Sequence, residues 1–212
     1  MELRVNPTRM ELNRLKTRLT VAVRGHKLLK DKRDELMRQF LVLVRQNKEL
    51  REEVEERLAR SFQKFMLARA VMSAEAVEEA IMFPQVQLEV QLAIQNIMSV
   101  HTPKISWQQV GETSASIYPY GFAETSGELD DSINTLSELL PQLLELAEIE
   151  TAVTRLAQEI ERTRRRVNAL EHVMIPDLEK TVRYITMKLE ENERANLTRL
   201  MKVKDIVRAK SI

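Results

Sequence analysis

Two long stretches of this sequence repeat apolar residues at alternating steps of three and four, and this heptad repeat constrains the fold most. The first repeat runs from Leu12 to Val54. The second runs from Leu146 to Met174 and, after a step of four, resumes from Leu178 to Val207. Such a repeat is typical of a coiled-coil seam, because an apolar stripe of this period faces one partner helix. The sequence therefore predicts a mainly α protein in which a return helix folds back on the first as a long antiparallel two-helix coiled coil.

Between the heptad stretches the hydrophobic period changes to two residues. Residues 86–94 alternate apolar and polar side chains, which is typical of a half-buried strand. Gln95-Asn96 offers a turn, and an extended run then continues towards Ile105. We predict a β-hairpin over residues 86–106 and an irregular link over residues 107–124. The chain is then a single elongated domain, with an N-terminal coiled-coil helix at 1–83, the β-hairpin and link at 84–124 and a C-terminal return helix at 125–212.

Capping and proline signals set the expected helix ends. Asn6-Pro7 predicts the start of the first helix, with Asn as the N-cap and Pro at the first helical position. Pro84 predicts its end near residue 83. A capping box over residues 125–128 predicts the start of the return helix. Pro141 and Pro176 are expected to interrupt that helix, with a kink at Pro176 where the heptad also skips.

Polar residues at seam positions indicate a fixed pairing between the two helices. Facing residues of an antiparallel pair with equal rise have a constant sum of residue numbers. A sum of roughly 210 would place Arg33 near Glu179.

Composition and charge limit the classes of function. The chain has no Cys, which excludes disulfides and zinc–thiolate sites and fits a reducing compartment. The N-terminus lacks the apolar run of a signal peptide, and no run of eighteen apolar residues occurs, so we expect a soluble intracellular protein. Lys and Arg number 13 against 6 Asp and Glu in residues 1–50, 6 against 17 in residues 51–150, and 14 against 9 in residues 151–212. Antiparallel pairing would place both basic thirds at one end, which suggests different partners at the two ends.

The sequence offers little for catalysis or cofactor binding. There is no GxxxxGK[ST] loop, and His26, His101 and His172 have no ligand-type partner four residues on. Runs of glutamate, such as residues 52–56, are expected to be solvated helix faces with salt bridges one turn apart. We therefore expect no catalytic residue, no cofactor and no metal.

Clusters of basic residues are the strongest polar signal. Arg164, Arg165 and Arg166 are consecutive, and Lys27 and Lys30 lie in a basic run of the first helix. They are either the exposed flanks of a coiled coil or a docking surface for an acidic protein. Nucleic acid is disfavoured, because the central third is acidic and the basic segments lack aromatic residues for stacking.

Short strings at both ends of the chain resemble one family. The strings NPTR, GHKLLKDKRDEL and RRRVNALE are similar to those of the D subunit of the V-type (archaeal and vacuolar) rotary ATPases. The resemblance covers essentially the whole chain, including the hairpin, and the compact length resembles bacterial and archaeal members.

The resemblance implies a non-catalytic rotor axle of the central stalk. In that family the paired terminal helices insert into the catalytic head of A and B subunits. The middle binds the small F subunit and the funnel-shaped d (or C) subunit on the membrane rotor ring. ATP hydrolysis or synthesis in the head is thereby coupled to proton or sodium transport, and the ion is set in the ring. The implied location is cytoplasmic, on the inner face of the cell membrane through the complex.

The resemblance also implies two groups of functional residues in this chain. Candidate contacts with the head are the basic residues Lys27, Lys30, Arg164, Arg165 and Arg166. The family's hairpin, which supports stimulation of the ATPase, corresponds to residues 86–105. Its candidate coupling residues are Val86, Leu88, Val90, Leu92, Ile97, Val100 and Ile105.

Two other readings of the same pattern stay open at this stage. One is a free-standing coiled-coil chaperone or tether, with the hairpin as an assembly element in the manner of prefoldin. The other is a nucleic-acid-binding coiled coil, for which strong salt-sensitive DNA binding would be expected.

Overall fold

The computed structural model describes residues 5–82, 87–110, 118, 120, 121 and 125–210. Helix α1 spans Arg9–Val71 and α2 spans Ala74–Ile81. Strands β1 (Gln87–Ile97) and β2 (Val100–Val110) follow. Helix α3 spans Gly127–Ala169, a π-helical turn spans Leu170–Met174, and α4 spans Ile175–Lys210. Long N-terminal and C-terminal helices around a two-stranded antiparallel hairpin confirm the predicted fold class.

The chain divides into two compact units. The terminal unit is the described part of Met1–Glu35 and Ile160–Ile212, and the central unit is Leu36–Glu159. In the terminal unit α1 packs against α4 around a core of four buried side chains, Leu15, Ala22, Leu178 and Ile185. Partly buried Leu12, Leu19, Val182 and Leu189 extend this core at heptad spacing. The heptad repeat thus forms an apolar seam here, as the sequence predicts.

The register of the terminal unit differs from the prediction. Arg9 Nη2 lies 2.5 Å from Glu193 Oε1, and His26 Nε2 lies 3.3 Å from Glu171 Oε2. The helices are therefore antiparallel, but His26 faces a residue about three and a half turns before the one that the predicted register assigns. Arg33 donates to the neighbouring Asp34 instead of lying near Glu179. The predicted register was wrong because two helices with heptad repeats can pack equally well after one is shifted along the other by a whole number of heptads.

The return helix passes Pro176 through a π-helical turn. Pro176 has no N–H, so it cannot donate to the carbonyl one α-helical turn earlier. Just before it, the N–H of Ile175 donates to the carbonyl of Leu170, five residues back. A π turn holds one residue more than an α turn, so the seam moves from Leu170 to Ile175, which packs on the terminal core, and Met174 is 52% exposed. The predicted interruption is therefore this turn, and the predicted seam position at Met174 is wrong.

In the central unit α1 and α3 are antiparallel. Lys64 pairs with Asp131 at 3.4 Å, and Arg51 pairs with Glu150 at 3.3 Å. Between the helices lie two fully buried serines, each of which donates to the backbone carbonyl of the other. Ser61 Oγ lies 3.2 Å from the Ser132 oxygen, and Ser132 Oγ lies 3.3 Å from the Ser61 oxygen.

The first helix ends earlier than predicted. Helix α1 stops at Val71, and Ser73 caps α2 by accepting a hydrogen bond from the Ala76 N–H at 3.2 Å. Ala68, Ala80 and Leu129 are buried together, so α2 turns back onto α1 and the start of α3. The N-cap serine explains the break. Residues 83–86, which include the predicted end of the first helix, lie outside the described residues.

Three further local predictions need correction. Thr8, rather than Asn6, accepts from the N–H of Glu11 at the start of α1. Helix α3 begins at Gly127, and Thr125 donates to the Gly121 carbonyl instead of forming a capping box. Pro141 lies within α3 without ending it. At the start of α3 the Leu129 N–H donates to the Ser126 carbonyl, and further along α3 tolerates the hydrogen bond that Pro141 cannot make.

The hairpin is longer than predicted, and its turn lies further along the chain. Gln87 pairs with Val110 and Ile97 pairs with Val100, so β2 includes Trp107, which the sequence assigned to the link. The turn is Met98–Ser99, not Gln95-Asn96, and both residues have positive φ, 49° and 71°. A two-residue loop of this kind is a type I′ turn, whose twist matches that of the strands. Asn96 Oδ1 accepts from the Ser99 N–H at 2.8 Å, which supports a turn without glycine.

Candidate interaction surfaces

The predicted basic residues lie in the terminal unit and are all exposed. The contact of His26 with Glu171 places Lys27 and Lys30 at about the same level as residues 167–170 of the partner helix. Arg164, Arg165 and Arg166 lie within about one turn of that level, between the buried Thr163 and Val167. Arg165 also pairs with Glu161 on its own helix. The structure therefore brings the five residues to one band of the helix pair, here called the basic band.

The end of α4 carries an apolar stripe with no seam partner among the described residues. Arg9, at the start of α1, pairs with Glu193, so α4 continues for several turns beyond the start of its partner. Residues 190–208, here called the α4 tip, are all exposed. The large apolar side chains of this tip are Leu197, Leu200, Met201, Val203, Ile206 and Val207. The sequence placed Leu200, Val203 and Val207 in the buried seam, and that placement is wrong for the described chain.

The predicted hairpin residues divide between the two faces of the sheet. Leu88, Val90 and Leu92 share one face with Ile105, because β1 residues alternate and Leu92 pairs with Ile105. This face is apolar and largely exposed, with Leu92 at 71% and Ile94 at 78%. Ile97 and Val100 lie on the opposite face, where Val100 is buried. Val86 lies outside the described residues.

Two side chains of α3 bind the outer edge of β2. The carboxylate of Glu148 accepts a hydrogen bond from the Ile105 N–H at 2.7 Å, and Arg155 donates to the His101 carbonyl at 2.6 Å. Glu148 and Arg155 are two helical turns apart on one side of α3, a spacing of about 10.5 Å. We call this pair of contacts the edge clamp. Neither residue stood out in the sequence, because one glutamate and one arginine in a charged helix carry no motif.

A second apolar surface lies where α1 ends and α2 follows. Phe62, Met66 and Leu67 on α1 are more than half exposed, and Ile81 and Met82 at the end of α2 are about half exposed or more. Methionine side chains adapt to the shape of a partner. We call this surface the methionine surface. The heptad pattern of the sequence did not predict it.

One tyrosine of the central unit has a perturbed pKa. Tyr120 donates to Asp130 Oδ1 at 2.6 Å, and its ring lies 6.0 Å from that of Tyr118. Burial, with a smaller contribution from the hydrogen bond to Asp130, raises the pKa of the Tyr120 hydroxyl well above its ordinary value. The contact fastens the segment before α3 to the first turn of that helix.

Within the parts of the chain that the structure describes, no group of three or more His, Cys, Asp or Glu side chains could hold a metal ion. None of the described helices combines the length and apolar character needed to cross a membrane.

Antiparallel helix pairs with exposed charged and apolar side chains in each unit, and a β-hairpin in the central unit, define a coiled-coil class of protein. A family model described as the D subunit of ATP synthase matches residues 11–205, and the chain belongs to this family. It is 62% identical over 205 residues to the V-type ATP synthase D subunit of Acetivibrio thermocellus, covering 97% of this chain and 92% of that protein. The protein of the same name from Clostridium novyi is 59% identical over 206 residues, covering 97% and 95%.

Proposed function

We propose that this chain is the central rotor shaft of a V-type ATPase. It transmits torque between ATP hydrolysis or synthesis in a catalytic head and proton or sodium translocation in a membrane ring. The observation that carries this proposal is the family match, which spans nearly the whole chain and nearly the whole length of relatives named as the D subunit of V-type ATP synthase. A free-standing prefoldin-like chaperone is not favoured by this match.

The terminal unit has the features that a torque-bearing helix pair requires. Its seam is apolar from Leu12 to Leu19 on α1 and from Ile175 to Leu189 on α4. Cross-helix contacts flank the seam at Arg9–Glu193 and His26–Glu171. Packed apolar seams resist separation and twisting of the two helices. Such a shaft transmits force through packing, so we propose that it has no catalytic residue of its own.

We propose that the basic band and the α4 tip contact the head of A and B subunits. A shaft that turns within a ring must leave each contact as readily as it forms it. Exposed lysine and arginine side chains meet this need, because rim charges favour fast, oriented association more than tight binding. The α4 tip adds to this contact the exposed apolar side chains that the helix pair does not bury.

We propose that the central unit binds the small F subunit and the funnel-shaped d (or C) subunit. The methionine surface is the candidate contact with the funnel-shaped partner, because large apolar side chains stay exposed both near the end of α1 and at the end of α2. Through these partners the chain would be held at the cytoplasmic face of the cell membrane without inserting into it.

The test is purification of the tagged full-length chain from its native membrane. The expected result is recovery with A and B subunits in a complex that hydrolyses ATP, while the purified chain alone does not. Recovery of the chain alone, or as a hexamer assembled through its own hairpins, would overturn the proposal. Loss of the head from a variant with Arg164, Arg165 and Arg166 changed to Gln, but not from a control with the exposed central-unit residues Arg45, Lys48 and Arg60 changed to Gln, would support the basic band as a contact.

A further inference from the structure

The two edges of the hairpin are treated differently by the rest of the chain. An exposed strand edge invites pairing with another strand, and proteins usually block it with charges, prolines or covering groups. The β2 edge is blocked at three successive outward positions. Arg155 binds the His101 carbonyl, Pro103 has no N–H to offer, and Glu148 binds the Ile105 N–H.

The hydrogen bonds of the edge clamp also establish which groups of β1 point outward. Ile105 pairs with Leu92, and the Ile105 N–H points away from β1 because it binds Glu148. In an antiparallel pair both residues of such a position direct their N–H and C=O away from the partner strand. The outward positions of β1 are therefore Leu92 and its neighbours at steps of two, which include Val90 and Ile94.

Within the described part of the chain, β1 has no proline and no covering group, and its one charge, Glu89, lies on the face opposite to Val90, Leu92 and Ile94. The strand has eleven residues without Pro or Gly, and every residue pairs in register with β2, so no bulge interrupts it. Among the described residues, no hydrogen bond is made to the outward N–H groups of Val90, Leu92 and Ile94. The same three side chains are 45%, 71% and 78% exposed, so the open edge is continuous with an open apolar face.

We infer that the outer edge of β1 is a strand-addition site for an extended segment of another protein of the complex. The incoming strand would pair with the N–H and C=O groups of Val90, Leu92 and Ile94 and would extend the exposed apolar face with its own apolar side chains. The opposite face of β1 carries one charge, Glu89, among glutamines and Ala93. Cross-strand neighbours of opposite charge stabilise a sheet, so the segment carries Lys or Arg on the side facing Glu89.

Because this inference rests on the proposed function for the source of the strand, the experiment compares the isolated full-length chain with the purified ATPase complex. Hydrogen–deuterium exchange is read at single-residue resolution by fragmentation. In the isolated chain the amides of Val90, Leu92 and Ile94 exchange quickly, whereas those of Gln91 and Ala93, which point to β2, exchange slowly. In the complex the three outward amides slow by about tenfold or more.

Two variants at one position separate the backbone from the side chain. Leu92→Pro removes an outward N–H and leaves the bonds between β1 and β2, as Pro103 does on the other strand. Leu92→Thr keeps the N–H and removes the large apolar side chain. Strand addition requires that Leu92→Pro returns Val90 and Ile94 to fast exchange in the complex, while Leu92→Thr leaves them slow.

Three results would overturn the inference. The outward amides could stay fast in an intact, active complex. Leu92→Thr could release them as fully as Leu92→Pro, which would indicate docking on the apolar face alone. The isolated chain could protect them as its concentration rises, which would indicate pairing with a second copy. Failure to recover any ATPase complex would count against the proposed function instead, so the two failures are distinguishable.

Discussion

The passage of the seam across the π turn can be tested at two neighbouring residues. The heptad repeat assigns Met174 to the buried seam, whereas the structure assigns Ile175 to it. Ile175→Ala is therefore expected to destabilise the protein more than Met174→Ala. Both substitutions leave Pro176 and its missing N–H unchanged, so their difference reports side-chain packing.

The magnitude follows from burial. Ile→Ala removes three carbon groups worth about 0.8 kcal/mol each when fully buried. Ile175 is half-buried against the terminal core, so a loss of about 1–2 kcal/mol is expected after allowing for incomplete collapse of the site. Met174 is 52% exposed, and alanine has the better helix propensity, so Met174→Ala should change the free energy of unfolding by about 0.5 kcal/mol or less.

The measurement is urea or thermal unfolding of the full-length chain and both variants, followed by circular dichroism. A loss of 1–2 kcal/mol corresponds to a fall in Tm of about 2–8 °C for a chain of this size. Equal losses for the two variants, or a larger loss for Met174→Ala, would refute the assignment of the seam to Ile175. The control is Met187→Ala, an exposed methionine on the same helix.

Three other substitutions test the central unit. The raised pKa of Tyr120 means that its contribution to stability is fully present below its unfolded pKa of about 10 and is lost as the pH rises above that value. As the pH rises above about 10, the free energy of unfolding of the wild type, measured by denaturant titration, should therefore fall more than that of Tyr120→Phe. Equal falls in the two proteins would contradict this. Glu148→Ala should speed exchange of the β2 amide that it binds by about tenfold or more, whereas Glu145→Ala, with the same charge change one turn away, should not. Ser99→Gly, at φ 71°, should slow exchange of the inward hairpin amides, because glycine relieves about 1 kcal/mol of left-handed strain; faster exchange would argue against that strain.

The sequence predicts the element types well because their periods are local. A step of three and four residues requires a helix, and the alternation from Leu88 to Ile94 requires a strand. The pairing of the two helices, by contrast, depends on residues that are far apart in the chain. The heptad repeat allows several registers, and the contact of His26 with Glu171 selects one through side-chain packing that no single stripe specifies.

The turn and the edge clamp could not be read from the sequence for a different reason. Turn prediction relies on Gly and Asn, yet Met98 and Ser99 adopt positive φ, with the Asn96 side chain bonding to the Ser99 N–H. Glu148 and Arg155 act on backbone groups of a distant strand, and any charged helix offers many such side chains. The basic residues were visible as a cluster because charge is counted directly, although their contacts with a head remain a prediction.

The reciprocal bonds of Ser61 and Ser132 make one level of the central unit resistant to shear. An apolar seam resists separation of the helices but opposes axial sliding only through the shape of its side chains. Apolar contacts are not directional, so a methyl group that slides past one neighbour packs equally well on the next. A slide of one residue would move the helices by about 1.5 Å and carry both hydroxyls out of hydrogen-bond range together. Leaving both buried and unbonded would cost about 2–4 kcal/mol or more. Axial load along α1 and α3 would then be borne first at these two serines, and slippage would begin elsewhere.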